Sequence, residues 1–130
     1  MEKPKWLLDT DILIDYLRGD PQAIKFLQKA VTNSICYIST ITVAELYAGV
    51  KDGKERPILD AFIQEFERVV IDENIARQGG LYKRDYGKSH GIGLADAVIA
   101  AAADSLGAEL VTLNKKHYPM LKTIHVPYKK

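Results

Sequence analysis

The chain has 130 residues, 47% of them apolar and 27% charged, which is enough for one self-supporting core and too apolar for a disordered segment. Lys plus Arg number 18 against 17 Asp plus Glu, a net charge of +1. That balance excludes a wholesale basic surface but leaves room for a local basic patch.

Met1-Glu2-Lys3-Pro4 leads straight into Trp6-Leu7-Leu8, with no signal-peptide pattern, and the apolar run ends at Asp9 as a buried strand would. Ile12 to Arg18 predicts a short helix stopped by Gly19. Asp20-Pro21 caps the next helix, whose apolar face comprises Ala23, Ile24, Phe26, Leu27 and Val31. Ser34 to Ser39 predicts a second buried strand. It carries Cys36, the only cysteine, so no intrachain disulfide or cysteine-based metal centre can form. Thr40 to Val50 predicts a helix, and Ile58, Leu59, Phe62, Ile63 and Phe66 mark the clearest amphipathic one.

Val69-Val70-Ile71 predicts a third strand, and Asp72 caps a helix through about Tyr86 despite Gly79-Gly80 within it. Three glycines predict a loop over 87–93. Leu94 to Leu106, ended by Gly107, is alanine-rich and apolar nearly all round, as a central helix is. Its longest apolar run, Ala97 to Ala103, falls far short of the ~20 residues of a bilayer span. Leu110 to Leu113 predicts a fourth strand and Ile124 to Val126 a fifth. Short continuous apolar strands alternating with helices predict an α/β fold: a three-layer α/β/α domain over residues 1–130 with a mainly parallel sheet of four or five strands. The chain reads as cytoplasmic.

In such a sheet, sites form outside the carboxyl ends of the strands. Asp9 and Asp11 follow the first strand, Glu45 lies on the helix after the second, Asp96 opens the helix after the glycine-rich stretch, and Thr112, Asn114 and His117 follow the fourth. Carboxylates brought together repel one another unless a hard divalent cation sits between them, and oxygen ligands suit Mg²⁺ or Mn²⁺. Each acid also has a plainer explanation. Asp9 suits a helix cap, Thr42 to Glu45 fits a capping box, and Asp96 suits a first helical turn. That explanation requires three unrelated caps to fall on one sheet edge. Asp15, Asp52, Asp60, Asp85 and Asp104 read as solvated surface.

His90, His117 and His125 lack zinc spacing, and Ser39 has no nucleophile-elbow context. Tyr82, Tyr86 and Tyr118 lie near Lys83, Arg84, Lys88, Lys115 and Lys116. That mixture suits contact with a nucleic-acid backbone, and equally a solvated rim.

Four segments in order resemble the PIN-domain family, in particular the VapC-type toxins of prokaryotic toxin–antitoxin pairs. They are Leu7-Leu8-Asp9-Thr10-Asp11 with Leu17-Arg18-Gly19, Ser39 to Gly49 around Glu45, Leu94 to Ala101 around Asp96, and Leu110 to Tyr118. The resemblance implies an endoribonuclease dependent on Mg²⁺, or alternatively Mn²⁺. Asp9, Glu45 and Asp96 would hold the metal directly or through water, and Thr10, Thr112 and Asn114 would orient ligands. It further implies an RNA substrate, for which the basic residues Arg84, Lys88, Lys115 and Lys116 are the backbone-contact candidates, a homodimer, and a VapB-like antitoxin. The chain departs from the family at His117, where a fourth acid is usual, so one firm metal and a second that is weak or absent are expected. Two alternatives stand beside this reading. Asp9-Thr10-Asp11 after a strand also suits a haloacid-dehalogenase-like phosphatase, and the acids would also persist in a non-catalytic PIN-like module.

Overall fold

The computed structural model describes residues 2–130. Strand β1 (Lys5–Leu8) ends at Asp9, whose side chain caps helix α1 (Thr10–Leu17). Asp20 caps α2 (Pro21–Asn33) through the amides of Gln22 and Ala23. Strand β2 (Ile35–Ser39) runs directly into α3 (Thr40–Ala48) and then α4 (Glu55–Ile63). Strand β3 (Glu67–Val69), helices α5 (Glu73–His90) and α6 (Leu94–Leu106), strand β4 (Glu109–Val111), a 3₁₀ turn (Lys115–His117) and strand β5 (Ile124–His125) complete the order.

The five strands form one sheet in the order β3-β2-β1-β4-β5, with every neighbouring pair parallel. Side chains alternate across the pleat, so the central strands β2, β1 and β4 each feed two cores. Leu8, Ile38 and Val111 join Ile12, Leu13, Leu27, Leu59 and Phe62 on one face. Leu7 and Leu110 join Ile75, Ile92, Ile99 and the alanines of α6 on the other. The chain progresses from β1 to β3 in one direction, then returns to add β4 on the opposite flank of β1. The resulting switch in strand order opens a crevice between the carboxyl ends of β1 and β4. No helix among the described residues is long and apolar enough to cross a membrane.

Several expectations shift. Helix α5 continues to His90, so 87–90 is helical rather than loop. The three glycines there serve different ends: Gly87 lies under the Lys83 side chain, Gly91 (φ 67°) supplies the left-handed cap of α5, and Gly93 caps α6. Strand β3 lies two residues earlier than expected, because its register pairs Tyr37 with Glu67 and Ser39 with Val69. As an edge strand it leaves Val70 69% exposed. Val31 and Ile58 lie outside the apolar faces assigned to them and are exposed. Asp15 is not solvated surface: it is buried and accepts hydrogen bonds from Tyr128 Oη (2.8 Å) and Lys130 Nζ (2.7 Å).

Candidate active site

The crevice between β1 and β4 gathers the acids that the sequence singled out. Asp9, 4% exposed, accepts three hydrogen bonds. The Thr10 amide donates to Oδ1 (2.8 Å), and Thr112 Oγ1 (2.8 Å) and Tyr118 Oη (2.9 Å) both donate to Oδ2. Thr112 is itself placed by the β4–β5 ladder, its amide donating to the His125 carbonyl. Its hydroxyl also accepts from the Asn114 amide at 3.1 Å.

Glu45 comes in from α3. Ser39 caps that helix by accepting from the Thr42 amide, so the capping-box role open to Glu45 is not used. A line of hydroxyls ends on Glu45 instead: Ser39 Oγ donates to Thr42 Oγ1 (3.3 Å), Thr42 and Thr10 pair at 2.9 Å, and Thr10 Oγ1 donates to Glu45 Oε1 (2.7 Å). One consistent set of protons runs from the end of β2 to the Glu45 carboxylate.

Asp96, in the first turn of α6, has its pKa raised by burial and then by the charges of Asp9 and Glu45, against weaker opposing effects of His117 and Tyr118. His117 Nδ1 stands 3.8 Å from Asp96 Oδ2, beyond hydrogen-bond reach, and is a buried nitrogen with no partner.

Two members of this cluster were named in the sequence reading, Asp11 as an acid at a strand end and Tyr118 as a candidate for nucleic-acid contact, but neither was assigned to the metal site. Asp11 accepts from the Ile12 amide (2.8 Å) and the Leu113 amide (3.0 Å), and Asn114 Nδ2 stands 3.5 Å away. Burial, and then the charge of Asp9, push its pKa up to about 7. Tyr118 is 1% exposed and buried among the apolar groups below the site. Burial and the neighbouring carboxylates push its phenol far above the usual tyrosine range, so it stays a donor. The Asp9-Thr10-Asp11 repeat was a visible signal for Asp11. Nothing in the sequence marked Tyr118 as buried.

Oxygen donors at high negative charge density, pKa values raised by burial and then by mutual repulsion, and an imidazole nitrogen without a partner among the described residues together fit a hard divalent cation. The side chains are not drawn together around a point, and no group of three His, Cys, Asp or Glu is close enough to hold an ion among the described residues. Of the basic candidates, Lys115 and Lys116 lie exposed on the 3₁₀ turn beside His117. Lys88 is exposed in the last turn of α5, and Arg84 pairs with Asp85 at 2.8 Å. On the other side of Glu45, an apolar groove of about 600 Å³ runs between α1, α3 and α4, lined by Ile14, Leu17, Leu46, Val50 and Leu59.

The PIN domain family model matches residues 6–120. Ribonuclease VapC19 of Mycobacterium tuberculosis is 39% identical over 124 residues, covering 94% of this chain and 98% of that one. Ribonuclease VapC1 of Methanocaldococcus jannaschii is 34% identical over 122 residues, covering 93% and 84%. Among solved structures, a toxin–antitoxin complex from Klebsiella pneumoniae aligns with TM-score 0.81 at 27% identity, covering 95% of this chain and 98% of that one. VapBC2 from Rickettsia felis, bound to a DNA fragment from its promoter, aligns with TM-score 0.77 at 26% identity, covering 94% and 97%.

Proposed function

The chain belongs to the PIN-domain family, and from that premise we propose that it is the endoribonuclease toxin of a VapBC-type pair, acting on RNA in the cytoplasm as one nuclease domain spanning residues 1–130. The single observation that carries this reading is the convergence of Asp9, Glu45 and Asp96 on the crevice beside β1, with Asp9 held by Thr112, Glu45 held by Thr10 and Asp96 carried in the first turn of α6.

Asp9 and Asp96 would hold Mg²⁺, or Mn²⁺ in its place, with Glu45 acting directly or through water. When bound, the cation supplies Lewis acidity toward the scissile phosphate and an acidified water. The chain's own groups do the rest. Thr10 and Thr112 keep Glu45 and Asp9 from rotating, Asn114 supports Thr112, and His117 is the fourth-ligand candidate. Lys115, Lys116 and Lys88 are exposed for the RNA backbone, whereas Arg84 contributes only by giving up Asp85.

The solved toxin–antitoxin complexes that this chain resembles support a VapB-like partner, and the homodimer is carried over from the family resemblance alone. The apolar groove that Glu45 helps to line offers an antitoxin segment a seat beside one of the acids, where a basic side chain would compensate their charge. The test is RNA cleavage by purified Asp9→Asn, Glu45→Gln and Asp96→Asn proteins with added Mg²⁺ or Mn²⁺. Each should lose activity by more than the roughly ten- to hundredfold typical of a supporting residue, while still melting cooperatively. Full activity in the Asp9→Asn and Asp96→Asn proteins would end the metal-nuclease reading, and an inactive unmodified chain would favour the non-catalytic alternative.

A further inference from the structure

Tyr118 is wholly buried, and its ring packs among the apolar groups that include Ile92, Ile99 and Leu110. Phenylalanine would fill that hole equally well. The hydroxyl therefore adds nothing to packing, and burying it is costly unless it is bonded. Its one hydrogen-bond partner is Asp9 Oδ2, at 2.9 Å. With Thr112 Oγ1 on the same oxygen and the Thr10 amide on Oδ1, three of the roughly four acceptor positions of the carboxylate are filled. The remaining one is on Oδ1. Lys or Arg in this place would cancel the charge of the acids and substitute for a cation. A neutral phenol orients Asp9 and leaves the full negative charge of the cluster in place for an ion.

We propose that Tyr118 is a positioning residue of the nuclease site, whose hydroxyl, together with Thr112, locks the Asp9 carboxylate in the single orientation that a divalent cation binds. This inference rests on the nuclease reading of the site, and it assigns Tyr118 no contact with RNA.

The experiment is calorimetric titration of Mn²⁺ and of Mg²⁺ into RNA-free protein, for the unmodified chain, Tyr118→Phe, Asp9→Asn and the double variant. A remote control, Tyr128→Phe, removes the corresponding tyrosine–aspartate bond at Asp15. Tyr118→Phe should raise the metal Kd about tenfold or more with a cooperative melting transition retained. Tyr128→Phe should leave the metal Kd unchanged, and the double variant should match Asp9→Asn, because Tyr118 acts through Asp9. An unchanged or tighter Kd in Tyr118→Phe, beside lost binding in Asp9→Asn, overturns the proposal and leaves the nuclease reading intact. Binding that survives Asp9→Asn overturns the nuclease reading itself. If Tyr118→Phe fails to fold, 3-fluorotyrosine placed at 118 keeps the ring and changes only the strength of the donor, and an unchanged Kd there overturns the proposal.

Discussion

The carboxylate of Glu45 is free for chemistry because Ser39, not Thr42, caps its helix. A similar division of labour runs through the cluster. Asp9 caps α1 with one oxygen and accepts two hydroxyls with the other, so the cap and the proposed metal-ligand role fall on one side chain. Asp11 was singled out only by its place beside Asp9 at the end of the first strand, yet burial beside Asp9 brings its titration up to about 7. His117 is the residue whose chemistry is most open to test. Its Nδ1 is buried without a partner and aimed at Asp96, and a neutral imidazole suits Mn²⁺ better than Mg²⁺. A carboxylate in its place adds a full charge a few ångströms from the ion, an attraction of several kcal/mol even at an effective dielectric constant of ~20. His117→Asp should therefore tighten Mg²⁺ binding by about tenfold or more, about 1.4 kcal/mol, and narrow the preference for Mn²⁺. Isothermal titration of both ions into both proteins reads this, and an unchanged Mg²⁺ affinity would remove His117 from the site.

Helix α5 illustrates why composition alone misjudges an element. Gly79 and Gly80 are adjacent, and by propensity each costs about 1 kcal/mol relative to alanine. The structure separates them. A Cβ on Gly79 would stand 2.7 Å from Val98 Cγ2 and 2.8 Å from Val98 Cα, whereas one on Gly80 would meet nothing within 4 Å. Gly79 is thus the seam on which α5 and α6 approach, and α6 carries Asp96. Gly80→Ala should stabilise the protein by up to about 1 kcal/mol. Gly79→Ala should destabilise it by about 1–2 kcal/mol, since the clash is with backbone that cannot swing aside and overpacking outweighs the propensity gain. Urea unfolding of the two variants measures the contrast, and two equal effects would mean that the seam is loose. The extension of α5 past Tyr86 has the same origin. Tyr82, Tyr86 and His90 stack edge to face at helical spacing, and Lys83 Nζ donates to the Ile92 carbonyl at 2.8 Å, so contacts carry the helix through Gly87, which had looked like the start of a loop.

At the scale of the molecule, the segment after β5 is tied back to α1 through Asp15, the buried acid that had read as surface. Burial by itself would raise the Asp15 pKa, but hydrogen bonds from Lys130 and Tyr128, and the charges of Lys130 and Arg18, outweigh it and hold the pKa below the ordinary value. A folded-state pKa below the unfolded one means that stabilisation is present above the unfolded value and is lost as pH falls through the folded one. Asp15→Asn should therefore cost about 1–2 kcal/mol at neutral pH, discounted because Lys130 is largely in water. The gap to the unmodified protein should close below about pH 4. Denaturant midpoints across pH test this, and a gap constant with pH would assign the effect to packing.

Strand and helix order, a buried parallel sheet and three of the carboxylates were legible in the sequence by itself, because apolar runs, caps and acids at strand ends are local signals that need no neighbour to be recognised. The orientation of those carboxylates was not legible. Asp9 and Tyr118 meet across 109 positions and Thr10 and Glu45 across 35, and which hydroxyl reaches which oxygen depends on sheet register and helix packing. The burial of Asp15 against Lys130, 115 positions away, and the length of α5 were decided in the same way. Hydrogen-bond partners and close packing are properties of residues distant along the chain, and only the tertiary structure brings them together.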